Sequence, residues 1–207
     1  GLGDVYKRQL IDSSDKSDFY AYADQDDVWM PEKLKKSIDE LEKHDPNKAL
    51  LFHCNRISCN PDLSALPVQA AKVPCPLDKK NALTQEFAQG CSIVINEKAR
   101  ELVCRHIPTI IVPHDFWTGL ICFYFGEVYY SSEPLFYHIN HGENASTAGH
   151  IKESRMHRLR SFLHANSYPN IAKDLIEGYN DMLSIKDCNF LSIVAYLSLI
   201  HISEPTR

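Results

Sequence analysis

The chain has 207 residues, 44% hydrophobic and 24% charged, which is enough apolar content for one domain with a substantial core and excludes a collagen, a coiled coil or a disordered tail. A formal net charge of −5, from 22 basic and 27 acidic side chains, gives no global attraction to nucleic acid, so an anionic ligand must be held by local donors or by a metal ion. The apolar stretch 190–200 is too short and interrupted to span a bilayer, and seven scattered cysteines without a CxxC pair predict reduced thiols in a cytoplasmic protein rather than a zinc site.

In chain order, the first segment, 1–9, reads as an adapter-derived scar and is set aside, as is its counterpart at 199–207. Phe19-Tyr-Ala-Tyr-Ala23 is aromatic-rich and predicts a buried strand that runs into Asp24-Gln-Asp-Asp27. Pro31 at a first helical position, Glu32 in the first turn, and Leu34, Ile38 and Leu41 on one face predict an amphipathic helix, stopped near His44 by Asp45-Pro46. A strand is expected over Ala49–Cys54 and a loop from Asn55 to Lys80, where proline is frequent and periodicity weak. Gly90-Cys-Ser-Ile-Val-Ile95 predicts a strand entered through glycine, followed by a helix from Glu97 to about His106. A further helix is expected over His114–Phe125, polar at its start and apolar after, then two short strands, Glu127–Ser131 and Leu135–Asn140. Beyond Gly149, Lys152, Arg155, His157, Arg158 and Arg160 mark a basic helix start, and the pattern stays helical. The reading is an α/β region over 10–149 with a helical C-terminal region over 150–198.

Three carboxylates within four positions at a strand end repel one another unless a cation neutralises them. Mg²⁺ or Mn²⁺ suits such a site, since Mg²⁺ takes one or two protein carboxylates and completes its shell with water and phosphate oxygens. Asp24 and Asp26, two apart on an extended backbone, can offer one carboxylate to the metal and one to a sugar or ribose hydroxyl. The plain alternative is an exposed acidic turn, with Asp27 capping the following helix.

The segment from Phe19 to Leu34, with its DQDD, Trp29 and Pro-x-Lys-Leu helix, resembles the metal-binding region of family-2 glycosyltransferases, in particular the bacterial rhamnosyltransferase-like group. Three later segments follow in that family's order. Gly90–Asn96 resembles the strand lining the donor-sugar pocket, His114-Asp-Phe-Trp117 the motif supplying the catalytic base, and Pro134–Asn144, with its His-Gly-x-Asn, the closing segment. Together they cover about residues 15–149. The resemblance implies a GT-A-type nucleotide-sugar transferase fold, a Rossmann-like mixed sheet flanked by helices, incomplete at its N-terminus. It further implies metal-dependent, inverting transfer of a sugar from a nucleotide-diphosphate donor, with dTDP-rhamnose favoured, to a glycan or lipid-linked acceptor in cell-surface polysaccharide synthesis.

Carried over residue by residue, Asp115 is the base, Asp26 the preferred metal ligand and Asp24 a ligand of metal or ribose. His141 is assigned to the metal or the diphosphate, against the plainer reading of a surface histidine. Gly90 is placed against the sugar, and Trp29 and Trp117 form apolar walls, with core packing as the alternative fate of each indole. Asp115 also has the simpler reading of a helix cap, and Cys91 is read as packing. His53-Cys-Asn55 departs from the family, where an aspartate is common, and puts any polar role of that strand end in doubt. Because only about fifteen residues precede Asp24 once the scar is removed, the chain is expected to lack part of the nucleotide-binding half, to bind nucleotide sugar poorly or not at all, and to be inactive by itself. Two other classes fit in part: a haloacid-dehalogenase-like phosphotransferase, since Asp24-Gln-Asp-Asp-Val28 satisfies its DxDx[TV] pattern, and an inactive carbohydrate-binding remnant. The basic helix from Lys152 to Arg160 is either a solvated face or a peripheral contact with the inner face of the membrane.

Overall fold

A computed structural model describes residues 2–67, 69, 75–140 and 167–202. The chain divides into two units, Gly1–Cys104 with Val112–Ala148, and Arg105–Ile111 with Gly149–Arg207.

The first unit is mixed α/β. Its elements are α1 (Leu2–Ser13), β1 (Phe19–Ala21), β2 (Asp27–Trp29), α2 (Lys33–Leu41), β3 (Leu50–Cys59), α3 (Lys79–Ala82), β4 (Val94–Asn96), α4 (Glu97–Cys104), α5 (His114–Phe125) and β5 (Glu127–Ile139). The five strands form one sheet in the order β1-β4-β3-β5-β2; β3 and β5 run parallel, and the other neighbours are antiparallel. Central β3 is buried without a break from Leu50 to Cys54, as expected of a strand covered on both faces. Its alternation sends Leu50, Phe52 and Cys54 into a cluster with Leu41, Cys91, Val94, Leu135 and Phe136. Asn96, at the end of β4, closes the start of β3: its Oδ1 accepts the N–H groups of Leu50 and Ala99, each at 2.9 Å, and its Nδ2 donates to the Lys48 carbonyl at 2.8 Å. Helix α5 is apolar on nearly every side and is correspondingly buried, with Trp117, Leu120, Ile121 and Cys122 at its centre.

Several sequence expectations are corrected here. The buried stripe of α2 is Lys33, Ser37 and Leu41, while Leu34 is 41% exposed. The helix is rotated because the Lys33 stem covers the Trp29 ring, with Nζ 3.9 Å from its centroid. Residues 90–92 form a 3₁₀ turn, and the strand is only Val94–Asn96. The expected loop from Asn55 is strand as far as Cys59. The two short strands after α5 are one, β5, whose register against β3 shifts between Cys54 and Asn55 and again between Asn55 and Ile57. Extra residues on β5 flank Pro134, which has no N–H to give to a ladder. Apart from these corrections, residues 2–9 of the run set aside above lie in α1.

In the second unit, α6 (Ser167–Tyr179) and α7 (Ile185–Ile202) pack together through Ile171, Ala172, Leu175, Tyr179, Leu191 and Ala195, all buried. Residues 199–202, also set aside as scar, continue α7. The basic helix expected over Lys152–Arg160 lies outside the described residues. Among those described, no helix is long and apolar enough to cross a membrane.

Candidate active site

The DQDD segment is the turn between β1 and β2. Asp27 does not cap the following helix; it is the first residue of β2 and lies directly across the ladder from His138 of β5. That register explains its main contact, His138 Nδ1 to Asp27 Oδ1 at 2.9 Å. The Asp27 side chain is only 1% exposed, and its second oxygen, Oδ2, has no hydrogen-bond partner among the described residues. Asp24 is more open, and its carboxylate takes the ammonium of Lys7 from α1. The Asp24 backbone N–H donates to Cys91 Sγ at 3.2 Å, and Trp29 Nε1 reaches the same sulfur at 3.5 Å.

One ligand atom each from Asp24, Asp27 and Cys91 lie within 4.8 Å of one another. Asp26, by contrast, is exposed and stands outside this group. Burial pushes the Cys91 thiol up to about 12, more than the N–H groups of Trp29 and Asp24 pull it down, so at neutral pH the group is a thiol. Two carboxylates and a neutral thiol fit a hard divalent cation better than the thiolate-rich sets that hold zinc. The uncompensated Oδ2 is the atom that such an ion would satisfy.

Asp115 approaches the same place from α5. It is 9% exposed; Oδ2 accepts the Gly90 N–H at 2.9 Å and Oδ1 accepts the Phe116 N–H at 2.9 Å. The helix cap is Pro113, so Asp115 sits inside the first turn and not at the capping position. Gly90 is required by contact: a Cβ there would stand 2.7 Å from His114 Nε2. Tyr22, two residues before Asp24, also holds α5, through its hydroxyl 2.9 Å from Thr118 Oγ1, which donates to the His114 carbonyl at 2.7 Å. Burial pushes the Tyr22 phenol up, so it remains a neutral hydrogen-bonding group.

The 3₁₀ turn is therefore the hub. Gln89, Gly90 and Cys91 in succession reach His138, Asp115 and the DQDD turn. Arg56 of β3 joins by donating to Gln89 Oε1; burial lowers the Arg56 pKa, and the charges of Asp27 and Glu86 oppose that.

The structure thus brings Asp24, Trp29, Gly90 and Asp115 together. Trp117 is 0% exposed and spends its indole N–H on the Val103 carbonyl at 3.4 Å, which places it in the core and leaves no face for a sugar. Trp29 is half-buried, with one face covered by Lys33. Lys33 is itself fully buried, its ammonium has no hydrogen-bond partner among the described residues, and desolvation lowers its pKa. His141 lies outside the described residues. Sequence reasoning missed the placement of Asp27 and Cys91, and it missed Gln89, His138 and Arg56 altogether. The one local signal was a histidine inside the otherwise apolar Leu135-Phe-Tyr-His-Ile139.

A second group with ligand atoms within 4.8 Å, His106, Asp174 and Glu177, lies in the second unit. Asp174 is 0% exposed. Both its oxygens take the Thr109 N–H at 3.1 Å, Oδ2 also takes the Thr109 hydroxyl at 3.1 Å, and Oδ1 lies 3.0 Å from His106 Nε2. Every part of that carboxylate is used to fasten residues 105–111 to α6.

No protein-family model matches the sequence, and comparison with curated proteins finds no match.

Proposed function

We propose that this chain is a GT-A-type, family-2 glycosyltransferase of the inverting, divalent-metal-dependent kind. The reaction moves a sugar, with dTDP-rhamnose the favoured donor, to a hydroxyl of a glycan or lipid-linked acceptor in cell-surface polysaccharide synthesis. The observation that carries the reading is Asp27 Oδ2, a buried carboxylate oxygen without a hydrogen-bond partner among the described residues, grouped with Asp24 and Cys91, whose chain neighbour Gly90 anchors a second carboxylate, Asp115.

In this reading Asp27 and Asp24, the latter exchanging its Lys7 ion pair for the metal, hold the cation, and Asp26 stands aside as the exposed member of the turn. Bound there, Mg²⁺ or Mn²⁺ supplies charge neutralisation to a departing nucleoside diphosphate. Asp115 is the base. Each of its oxygens has accepted one backbone N–H, which fixes the carboxylate and leaves a lone pair on each for the proton of an acceptor hydroxyl. The acceptor oxygen then attacks the anomeric carbon as the bond to the diphosphate breaks, and the proton passes to Asp115. Gly90 keeps the backbone close enough for its N–H to orient the base.

The test is Mn²⁺ titration followed by electron paramagnetic resonance, paired with assays of dTDP- and UDP-sugar transfer. Saturable Mn²⁺ binding lost in Asp27→Asn, with transfer lost in Asp115→Asn while Mn²⁺ binding persists, supports the reading. Phosphate-ester hydrolysis abolished by Asp24→Asn points instead to a phosphotransferase and overturns it. So does a wild-type chain that binds no Mn²⁺.

A further inference from the structure

We infer that Gln89 is a positioning residue that makes the cation-binding carboxylate Asp27 and the base Asp115 one mechanical unit. The inference rests on the reading of those two residues given above and adds to it the part that connects them.

Gln89 works through its backbone on one side and its side chain on the other. Its carbonyl accepts the Ser92 N–H at 2.8 Å and the Ser92 hydroxyl at 2.6 Å. Those two bonds close the 3₁₀ turn that points the Gly90 N–H at Asp115 Oδ2. Its side-chain amide is oriented by Arg56, which donates to Oε1, so that Nε2 faces the His138 ring, 3.4 Å from Nδ1. His138 lies closer to Asp27, at 2.9 Å, so its Nδ1 proton belongs to Asp27 Oδ1. With that proton on Nδ1, the Gln89 Nε2 is a donor facing a donor and makes no hydrogen bond to the ring; it bounds the imidazole by van der Waals contact alone, at 3.4 Å.

The result is a line of contacts from the cation side to the base side, through Asp27, His138, the Gln89 amide, the Gln89–Gly90 peptide and Asp115, hydrogen-bonded at each end and steric between the imidazole and the amide. Arg56 pins its middle from the neighbouring strand β3. With Oδ1 engaged by His138, Asp27 has only the buried Oδ2 left for a ligand, so the ring position decides where that oxygen stands. Residues that orient a metal ligand without touching the metal typically change affinity by roughly 10–100-fold when removed. A shift of the Gln89 side chain also pulls on the turn that holds Gly90. Cation binding at Asp27 is therefore expected to be felt at the hydrogen bond from Gly90 to Asp115.

The experiment compares the wild-type chain with Gln89→Met, which keeps the length of the side chain and removes its hydrogen bonds. Mn²⁺ affinity is read by paramagnetic resonance, and hydrogen exchange of the Gly90 amide is read with and without saturating Mg²⁺. The expected result is an affinity about tenfold weaker in Gln89→Met, together with a Mg²⁺-dependent slowing of Gly90 exchange that is present in the wild type and absent in the variant. Melting of the metal-free proteins reports whether the variant folds; if Gln89→Met does not, Gln89→Asn, too short to span both partners, takes its place. If the variant binds Mn²⁺ as the wild type does, or if Mg²⁺ leaves Gly90 exchange unchanged in the wild type, Gln89 is packing only and the inference fails while the functional reading stands. If the wild type binds no Mn²⁺, both fall together.

Discussion

Two buried aspartates, Asp27 in the first unit and Asp174 in the second, each lie within ligand distance of two other metal-binding side chains, and each is in contact with a histidine. Their surroundings are otherwise opposite. Asp174 has both oxygens filled by the backbone N–H and hydroxyl of Thr109 as well as by His106. Asp27 has one oxygen held by His138 and one with no hydrogen bond among the described residues. Clustering of donor atoms is therefore a poor guide on its own. A buried carboxylate whose lone pairs are used is a fastener, whereas one left short is paying desolvation without return inside the fold, and the return is sought in a ligand.

The largest effect that tests this contrast is on the stability of the second unit. Asp174→Ala leaves the Thr109 N–H without its acceptor and is expected to cost about 3 kcal/mol, read by urea unfolding, with Mn²⁺ binding unchanged. Asp27→Asn is expected to do the reverse. Mn²⁺ affinity falls more than tenfold, about 1.4 kcal/mol of binding, while the urea midpoint of the metal-free protein holds, because the amide oxygen of asparagine keeps the His138 contact and only the atom without a hydrogen bond is changed. A large loss of stability in that variant would make Asp27 a fastener too and erase the distinction.

Asp115, anchored at both oxygens yet beside the cation group, falls between the two. Gly90→Ala drives a Cβ toward His114 and is expected to cost about 1–2 kcal/mol in the first unit. In the functional reading it lowers transfer further, since the N–H that orients the base moves with the turn. A variant that melts earlier but transfers at the wild-type rate would detach Gly90 from the base.

The smallest effect comes from a surface carboxylate. Glu97, which links β1 to α4, is held at about 2 by the Arg100 guanidinium and the Tyr20 hydroxyl, well below its ordinary 4.5. A depressed folded-state value adds stability that is complete above about pH 4.5 and drains away as the pH falls toward 2. Glu97→Gln should flatten that limb of the stability curve. An unaltered acid limb would place the transition in other carboxylates.

How much was legible in the sequence follows from how local each cause is. Helix α5 was readable to the residue because its signals, the polar pair His114-Asp115 and the apolar run that follows, are contiguous. Strand β1 was found but overread: it is only Phe19–Ala21, half-buried and exposed at Ala21, where the aromatic run predicted a buried strand to Ala23. Helix α2 was found, but its buried face was assigned to Leu34 in place of Lys33, because a lysine that covers an indole looks polar until Trp29 is in position. The site was half legible. Asp24, Gly90 and Asp115 carry motif spacing. Asp27 was passed over for Asp26, because what buries it is a ladder pairing with a residue 111 positions away. The 3₁₀ turn at Gly90 was read as strand, since Ile93, Val94 and Ile95 dominate the pattern and a three-residue turn leaves no periodicity. Gln89 and Arg56 gain their meaning only from that turn and from the neighbouring strand.

The burial of Lys33 against Trp29 has an optical consequence. The chain has two indoles; Trp117 is sealed in the core, while Trp29 is flanked by an ammonium 3.9 Å from its ring and by the Cys91 thiol, both of which quench indole emission. The resting fluorescence therefore comes mainly from Trp117, and Trp29 is a dark reporter wired to the DQDD turn through Cys91. A cation seated among Asp24, Asp27 and Cys91 acts on the sulfur that Trp29 touches, so its binding is expected to change the emission of Trp29, and occupancy of the site can be followed in the unlabelled protein by its own light.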